Sequence, residues 1–476
     1  MQHVQQSPTQ PAEDRRDRSI PRWLLLISLF ALFTHGSTSI LLSQHPLLPD
    51  EREYLSLGQS IADTGKLESP QGDRARRMPL YPALLSLELR DAAPDALPSG
   101  VVIIQAAAAW CTTLVIMGLG FMLAGARAGV FAGIISALYQ PFLFLQNAYL
   151  TESFTIFLLF IALFFHVRFL ILAASRTEQY FATGLCSTCV ALAMLLRANA
   201  VLFIVPFGLD TLLRRSAKDG LFVRGVLLLA PILIAAGAWS ARNATAIESW
   251  TLSTGGGLNF YLGNSADYSS NPGLNNADYG AFDRVRTKMG LSEAQADRYL
   301  YRQGARFILD HPLESLANVF RKSKVWLGAA LPYCGPLLPI FATVTVLSAC
   351  PSSRARRSTG SKQIHLLATT LWILLLGFVA HYAWLLWDNG ARYPNVSSRE
   401  LAIMGLVSLV LFRPKAPAKR LIIGLFLTQF AVAVAFIPLV RIRWVVDGLL
   451  ILALSIALSN VCDWLRKDQR SGEPGS

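Results

Sequence analysis

The chain is 476 residues long, 53% apolar and only 15% charged, against the roughly 25% charged residues of an ordinary soluble domain. This composition argues against a water-soluble multi-domain enzyme. A formal charge of +13, from 43 Lys and Arg against 30 Asp and Glu, invites a nucleic-acid reading, but basic runs such as RARR and RPKAPAKR lie between apolar blocks and read more simply as loops at a membrane surface.

A polar tail at 1–21 precedes the first apolar block, 22–43, which is long and lacks a small-x-small cleavage site. It reads as an uncleaved anchor rather than a signal peptide. Further blocks near the roughly 20 residues that cross a bilayer lie at 100–123, 128–145, 152–174, 180–196, 199–213, 223–242, 327–350, 364–387, 400–412, 421–440 and 444–461. The expected fold is therefore all-α and polytopic, with about twelve transmembrane helices. Only a turn at Arg197 separates the fifth block from the sixth, and 400–412 is short. The six cysteines show no disulfide-framework spacing, and the CxxC of Cys186 and Cys189 sits in the apolar run GLCSTCVALAML, where packing is its expected role. No HExxH, Walker P-loop or GxGxxG is present, so ATP-driven transport and dinucleotide chemistry lack motif support.

With the N-terminus placed in the cytoplasm, inner loops near 214–224, 354–362 and 413–420 hold twelve Lys and Arg, and the short outer loops hold five. The positive-inside rule supports that orientation, with both termini cytoplasmic. Arg74, Arg76 and Arg77, in the first outer loop, run against the rule. The expected organisation is a cytoplasmic tail at 1–21, a transmembrane module at 22–242 with its first outer loop at 44–98, an outer segment at 243–326, a second transmembrane module at 327–461 and a cytoplasmic tail at 462–476.

In the first outer loop, Tyr54, Leu57 and Ile61 recur at helical spacing, which predicts a short amphipathic helix lying on the membrane, interrupted by Gly58. The second outer segment opens with GGGLNFYLGNSADYSSNPGLNN, which reads as irregular loop, and Gly255 to Gly257 as a flexible stretch rather than a phosphate cradle. Ser292 followed by Gln295 is a capping-box signature for a helix towards Asp310. Pro312 opens another, with Leu313, Leu316 and Phe320 on one side. Asn243 and Asn395 begin glycosylation sequons that are common by chance, and Trp384 and Trp387 fit an interfacial aromatic belt.

This topology collects ionisable residues at the outer ends of helices: Asp50, Glu51 and Glu53, then Glu152, Arg197, Arg242, Arg392, Arg441 and Arg443. Any one of them has a structural reading, because charge near a helix end costs little and long arginines snorkel. As a set they predict a polar site on the outer face. Arginines recognise phosphate, while carboxylates serve as bases or hold a hard divalent cation. An anionic headgroup on a lipid tail would answer both the arginines and the membrane. If that headgroup is a sugar phosphate, the lipid phosphate leaves without a strong general acid, and one carboxylate suffices to deprotonate an acceptor hydroxyl.

At these residues the chain resembles a known family. PDEREYLSLGQSIADTG followed by RRMPLYPALLSL resembles the first extracytoplasmic loop of the GT-C superfamily of membrane glycosyltransferases, in particular the branch with protein mannosyltransferases and the lipid A aminoarabinose transferase. ALYQPFLFLQNAYLTESFTIFLLF, LLRANAVLFIVPF, ARNATAIESWTLSTGGGLNFYLGN and ARFILDHPLESLANVFRKSKVWLG are similar pieces. The resemblance implies an inverting transfer of a sugar from a polyprenyl-phosphate donor to a glycan, lipid or protein acceptor on the extracytoplasmic side of a bacterial inner membrane. It implies Asp50, with Glu51 beside it, as base or part of a metal site, and Glu152 at the second acidic position, where some relatives use aspartate. Arg77, ahead of the PLYP element with Tyr81, matches a substrate-binding position. Arg197, Arg242 and Arg441 or Arg443 are the phosphate-site candidates, although the family's RY element reads here as Arg443 followed by Trp444, and an ARY lies earlier at Arg392 and Tyr393. A divalent metal, held by Asp50 and Glu152, stands open as the cofactor. The competing readings are a secondary transporter or lipid flippase, which should place its charges near the bilayer midplane in broken helices, and a non-catalytic membrane scaffold.

Overall fold

The computed structural model describes residues 22–41, 47–90, 97–171, 175–212, 220–270, 280–327, 401–402, 404–409 and 416–471. In chain order the helices are α1 (Arg22–Leu41), α2 (Pro49–Thr64), α3 (Leu80–Leu89), α4 (Ser99–Ala124), α5 (Ala126–Leu138), α6 (Gln140–Leu145), α7 (Glu152–Phe165), α8 (Arg176–Leu196), α9 (Ile204–Leu212), α10 (Leu221–Ile247), α11 (Gly256–Gly263), α12 (Ala266–Ser270), α13 (Ala281–Met289), α14 (Glu293–Asp310), α15 (Pro312–Trp326), α16 (Ala416–Ala435) and α17 (Val440–Ser471). A π-helical turn, His166–Ile171, prolongs α7, and a 3-10 helix, Ala198–Phe203, leads into α9. Among the described residues there is no strand. The chain is an all-α polytopic membrane protein.

Six of the described helices contain a stretch long and apolar enough to cross a membrane: Trp23–Ile40, Ser99–Ala124, Arg176–Leu196, Leu221–Ile247, Ala418–Ala435 and Arg441–Asp463. Residues 328–350 and 364–387 of the expected blocks, and 400, 403 and 410–412 of the short one, lie outside the described residues, as do Arg392, Tyr393, Trp384, Trp387 and Asn395. The block at 128–145 is not one helix but α5 and α6, broken at Tyr139, which is extended. Pro141 explains the break, because its ring cannot accept the helical carbonyl four residues back and it has no N–H to donate. The blocks at 152–174 and 199–213 likewise end in, or begin with, non-α turns.

The core is centred on α17, whose Leu449, Leu450, Ile451, Leu452 and Ala453 are wholly buried among α4, α5 and α7. α8 lies between α7 and α10. Residues 47–90 fold as α2 against α3, so α2 turns its apolar face to protein, with Tyr54 and Leu57 buried. The amphipathic helix forms, and the apolar face expected to meet lipid is covered in part by protein. Gly58 does not interrupt α2; it lets α3 approach, and a Cβ at Gly58 would sit 2.8 Å from Leu85 Cβ.

Helices α11, α13 and α14 form a small core of their own around Leu258, Leu262, Phe282, Ala296 and Leu300. The glycine-rich stretch expected to be irregular is helical at α11 and α12. Its glycines allow that packing: Gly257 lies directly on the Asp297 backbone, with no room for a side chain. The capping box forms as expected, with Gln295 N–H on Ser292 Oγ at 3.4 Å and Ser292 N–H on Gln295 Oε1 at 2.9 Å. Pro312 occupies the first turn of α15.

Candidate active site

Four separate elements bring charged groups to one place. Pro49 starts α2, which places Asp50 in the first helical turn. Glu152 opens α7. Arg197 ends α8 in extended conformation, aimed across the turn that precedes the 3-10 helix. Arg441 stands in the first turn of α17, just after the Pro438 turn that ends α16.

These groups meet as follows. Asp50 Oδ1 accepts from Arg77 Nη2 at 2.8 Å, and Asp50 Oδ2 pairs with Arg441. Arg441 Nε lies 2.9 Å from Glu152 Oε1, which also lies 2.6 Å from Arg197 Nη1. Arg441 therefore bridges the two acids. Glu152 Oε1 and Arg441 Nε make this approach without an aligned hydrogen bond. Arg77 is further gripped in bidentate fashion by Glu53, at 3.0 and 2.5 Å, and its guanidinium lies over the Tyr54 ring at 5.1 Å. Three carboxylates thus face three guanidinium groups.

The cluster is graded in depth. The Glu152 side chain is 1% exposed and the Asp50 side chain 30%, so it opens to solvent at the Asp50 end. Burial by itself would raise the Asp50 pKa, but the facing Arg441 and Arg77 charges outweigh it and hold the carboxyl well below the usual carboxylate range. Asp50 is accordingly an anion with both oxygens engaged.

The other sequence candidates stand elsewhere. Glu51 is buried and fastens backbone: its carboxylate accepts Leu48 N–H at 2.8 Å and Tyr149 N–H at 2.8 Å, which ties the start of α2 to the loop before Glu152. Tyr81 is buried, donating to Gln105 Oε1 at 2.8 Å and meeting Tyr54 edge-on at 5.2 Å. Arg242 donates to the Arg74 carbonyl at 2.6 Å and lies over Trp239, bracing the loop between α2 and α3. Arg443, two residues beyond Arg441, is fully buried and pairs with Asp447 at 2.9 Å. Of the two C-terminal arginines, Arg441 is the one that reaches the acids.

The sequence places Glu53 in the charged set without a role, and its hold on Arg77 emerges only from the fold. No role is read from the sequence for the support beneath the site either, where Gln105 donates to the Gln146 and Ala148 carbonyls at 2.9 Å each and Gln146 meets His35 Nδ1 at 2.5 Å. The signal was there: Gln105 and His35 are polar residues inside otherwise apolar spans.

Asp50 and Glu152, the candidates for holding a divalent cation, are turned to arginines. Both Asp50 oxygens face arginines, Glu152 Oε1 faces two more guanidinium nitrogens, and among the described residues no group of three His, Cys, Asp or Glu side chains is placed to hold a metal. The arrangement can instead bind a polyanion, which would compete with the carboxylates for Arg77, Arg197 and Arg441.

No family model and no curated protein matches the chain. Among solved structures it is similar to ArnT from Cupriavidus metallidurans bound to undecaprenyl phosphate, at 14% identity over 85% of this chain and 77% of that one, with a TM-score of 0.41. It is also similar to the archaeal oligosaccharyltransferase AglB from Archaeoglobus fulgidus in complex with an inhibitory peptide and a dolichol-phosphate, at 13% identity over 95% of this chain and 52% of that one, with a TM-score of 0.47. The Archaeoglobus fulgidus oligosaccharyltransferase in complex with Zn and sulfate matches at 12% identity over 90% of this chain and 53% of that one, with a TM-score of 0.38. The chain spans about half the length of these oligosaccharyltransferases.

Proposed function

We propose that the cluster is the active site of a membrane glycosyltransferase that moves a sugar from a polyprenyl-phosphate donor to an extracytoplasmic acceptor, with inversion. The observation that carries this reading is the convergence of Arg77, Arg197 and Arg441 on Asp50 and Glu152, with Arg441 touching both acids. Arginines so placed match a phosphate with a lipid tail, and their charge offsets the negative charge that grows on it as it leaves.

In this reaction the bond from the anomeric carbon to the phosphate oxygen breaks, and its electron pair stays on the lipid phosphate. The acceptor hydroxyl attacks the opposite face of the anomeric carbon. Its proton passes to Asp50, with Glu152 completing the anionic wall. Asp50 is a weak base while Arg77 and Arg441 hold it down. A donor phosphate that draws either arginine away returns the carboxylate towards its ordinary basicity, so donor binding prepares the base. The arginines supply the neutralising charge that a divalent cation would otherwise provide, and a cation at Asp50 would have to displace one of them.

The site lies at the outer face if Arg441 opens the last membrane helix from outside, which places the chemistry extracytoplasmically. The test is transfer of radiolabelled sugar from a polyprenyl-phosphate donor by purified full-length protein in lipid; undecaprenyl phosphate, the lipid held by the ArnT structure, is the first carrier to try. Transfer by wild type and its loss in Asp50→Asn is the expected result. Undiminished transfer by Asp50→Asn removes Asp50 from the mechanism.

A further inference from the structure

The turn at residues 436–439 delivers Arg441 to the cluster, and two buried cations outside the cluster hold that turn from either side. Before the turn, the ammonium of Lys322 in α15 donates to the Val434 carbonyl and to Asn264 Oδ1, each at 2.9 Å. Asn264 donates its own amide to the Ala435 carbonyl at 2.9 Å. Val434 and Ala435 are the last residues of α16, whose final carbonyls lack helical partners and carry the negative end of its dipole. Gly263 lies against the Phe436 carbonyl with no room for a Cβ.

After the turn, Arg443 donates to the Leu327 carbonyl at 2.8 Å and the Trp326 carbonyl at 3.3 Å, closing the C-terminal end of α15. Its partner Asp447 accepts from the Tyr139 hydroxyl at 2.5 Å. One helix of the outer segment, α15, therefore grips the chain on both sides of the turn that carries Arg441.

We propose that Lys322 and Arg443 are positioning residues: they clamp the 436–439 turn to α15 and so set where Arg441 stands relative to Asp50 and Glu152. The effect on ligand rests on the reading of the cluster as a phosphate site; the clamp itself does not. The groups facing Lys322 are the Tyr268 ring of α12, 5.8 Å away, Asn264, and the α16 carbonyls. On its own helix the neighbouring Arg321 is engaged with Asn318 at 2.7 Å. Burial pushes the Lys322 pKa down to about 8, while burial pushes the Tyr268 phenol up to about 12. As pH rises through about 8, Lys322 loses its charge and the clamp loses its hold on the helix dipole.

The experiment uses full-length protein in nanodiscs and measures two things at pH 7 and pH 9. One is hydrogen exchange over residues 434–442, corrected for the intrinsic chemical rate. The other is affinity for undecaprenyl phosphate. In wild type, both protection and affinity should fall by about threefold from pH 7 to pH 9, whereas Lys322→Arg, charged at both values, should keep both. Lys322→Met at pH 7 should resemble wild type at pH 9, and Arg443→Lys should loosen the same segment while leaving the pH step in place. An equal alkaline loss in wild type and Lys322→Arg overturns the proposal, as does protection that changes while affinity does not. If no variant, wild type included, binds the lipid phosphate, the reading of the cluster fails, and the exchange data alone decide the clamp.

Discussion

Arg441 touches both acidic residues of the cluster, so its loss should cost more than a single ion pair. Arg441→Met is expected to lower kcat/KM for sugar transfer by about 100- to 1,000-fold, the scale for removing one donor to a developing oxyanion. Arg441→Lys should recover little of it, because an ammonium cannot reach Asp50 and Glu152 together as a planar fork does; steady-state transfer assays on the two variants check both statements. Asp50 and Glu51 should part company in the same assays. Asp50→Asn is expected to abolish at least about 100-fold of the rate with little change in Tm. Glu51→Ala takes the carboxylate from the half-buried Leu48 amide and the buried Tyr149 amide and should cost about 1–3 kcal/mol of stability, read as a lower Tm in detergent. The sequence sets these carboxylates side by side and makes both catalytic candidates. One step along a helix turns a side chain by about 100°, which here sends one into the cluster and the other into the backbone of a neighbouring loop. Only the direction in which α2 docks could separate them.

At the scale of elements, close approaches between helices decide how the charged residues are aimed. Gly58 lets α3 settle on α2 just ahead of the Arg77 loop, with Leu85 Cβ 2.8 Å from where its Cβ would be. Gly58→Ala is expected to destabilise by about 1–3 kcal/mol through overpacking, despite the better helix propensity of alanine, and thermal unfolding would reveal the sign. Gly448 is a comparable contact between α17 and Phe160 of α7; the two helices it joins carry Arg441 and Glu152. Local propensity marks a glycine as a helix weakness, so these positions are opaque until the partner helix is seen. Pro141, the Ser292 capping box and Pro312 were more legible, because each acts on the backbone within a turn of itself.

For the whole molecule, the loop between α2 and α3 is joined to α13 and α14 by buried carboxylates. Glu293 of α14 accepts the Arg74 and Ala75 amides at 2.8 and 3.0 Å and the Thr254 hydroxyl at 2.5 Å. Asp73 pairs with Arg76 at 3.4 Å and with Arg286, and Asp297 accepts Gly257 N–H at 2.6 Å. With Glu68 on Arg74 at 3.0 Å, these acids balance the basic run that counts against the positive-inside rule. Burial, reinforced by the nearby Glu293 charge, raises the Asp73 and Asp297 pKa values to about 6. Both sit above their unfolded values, near 4, so their contribution to stability is fully present below about pH 4, declines as pH rises to about 6, and is level above. Wild type should therefore lose more Tm than Asp297→Asn between pH 4 and pH 6. The proposed sidedness has its own check: single cysteines at Glu68 and Arg302 should react with a membrane-impermeant maleimide from the extracytoplasmic side, and both must share that side for one outer site to exist.

Composition and block length alone determined that this chain lives in a bilayer as an all-α protein, because transfer from water to lipid is close to a sum over residues and each helix satisfies its own backbone. They also confined the charges to a short list. Which of those charges meet was decided by tertiary structure alone: Asp50 finds Arg441 across 391 residues of sequence, and an ion pair depends on where two helix ends arrive, a property that no local window contains.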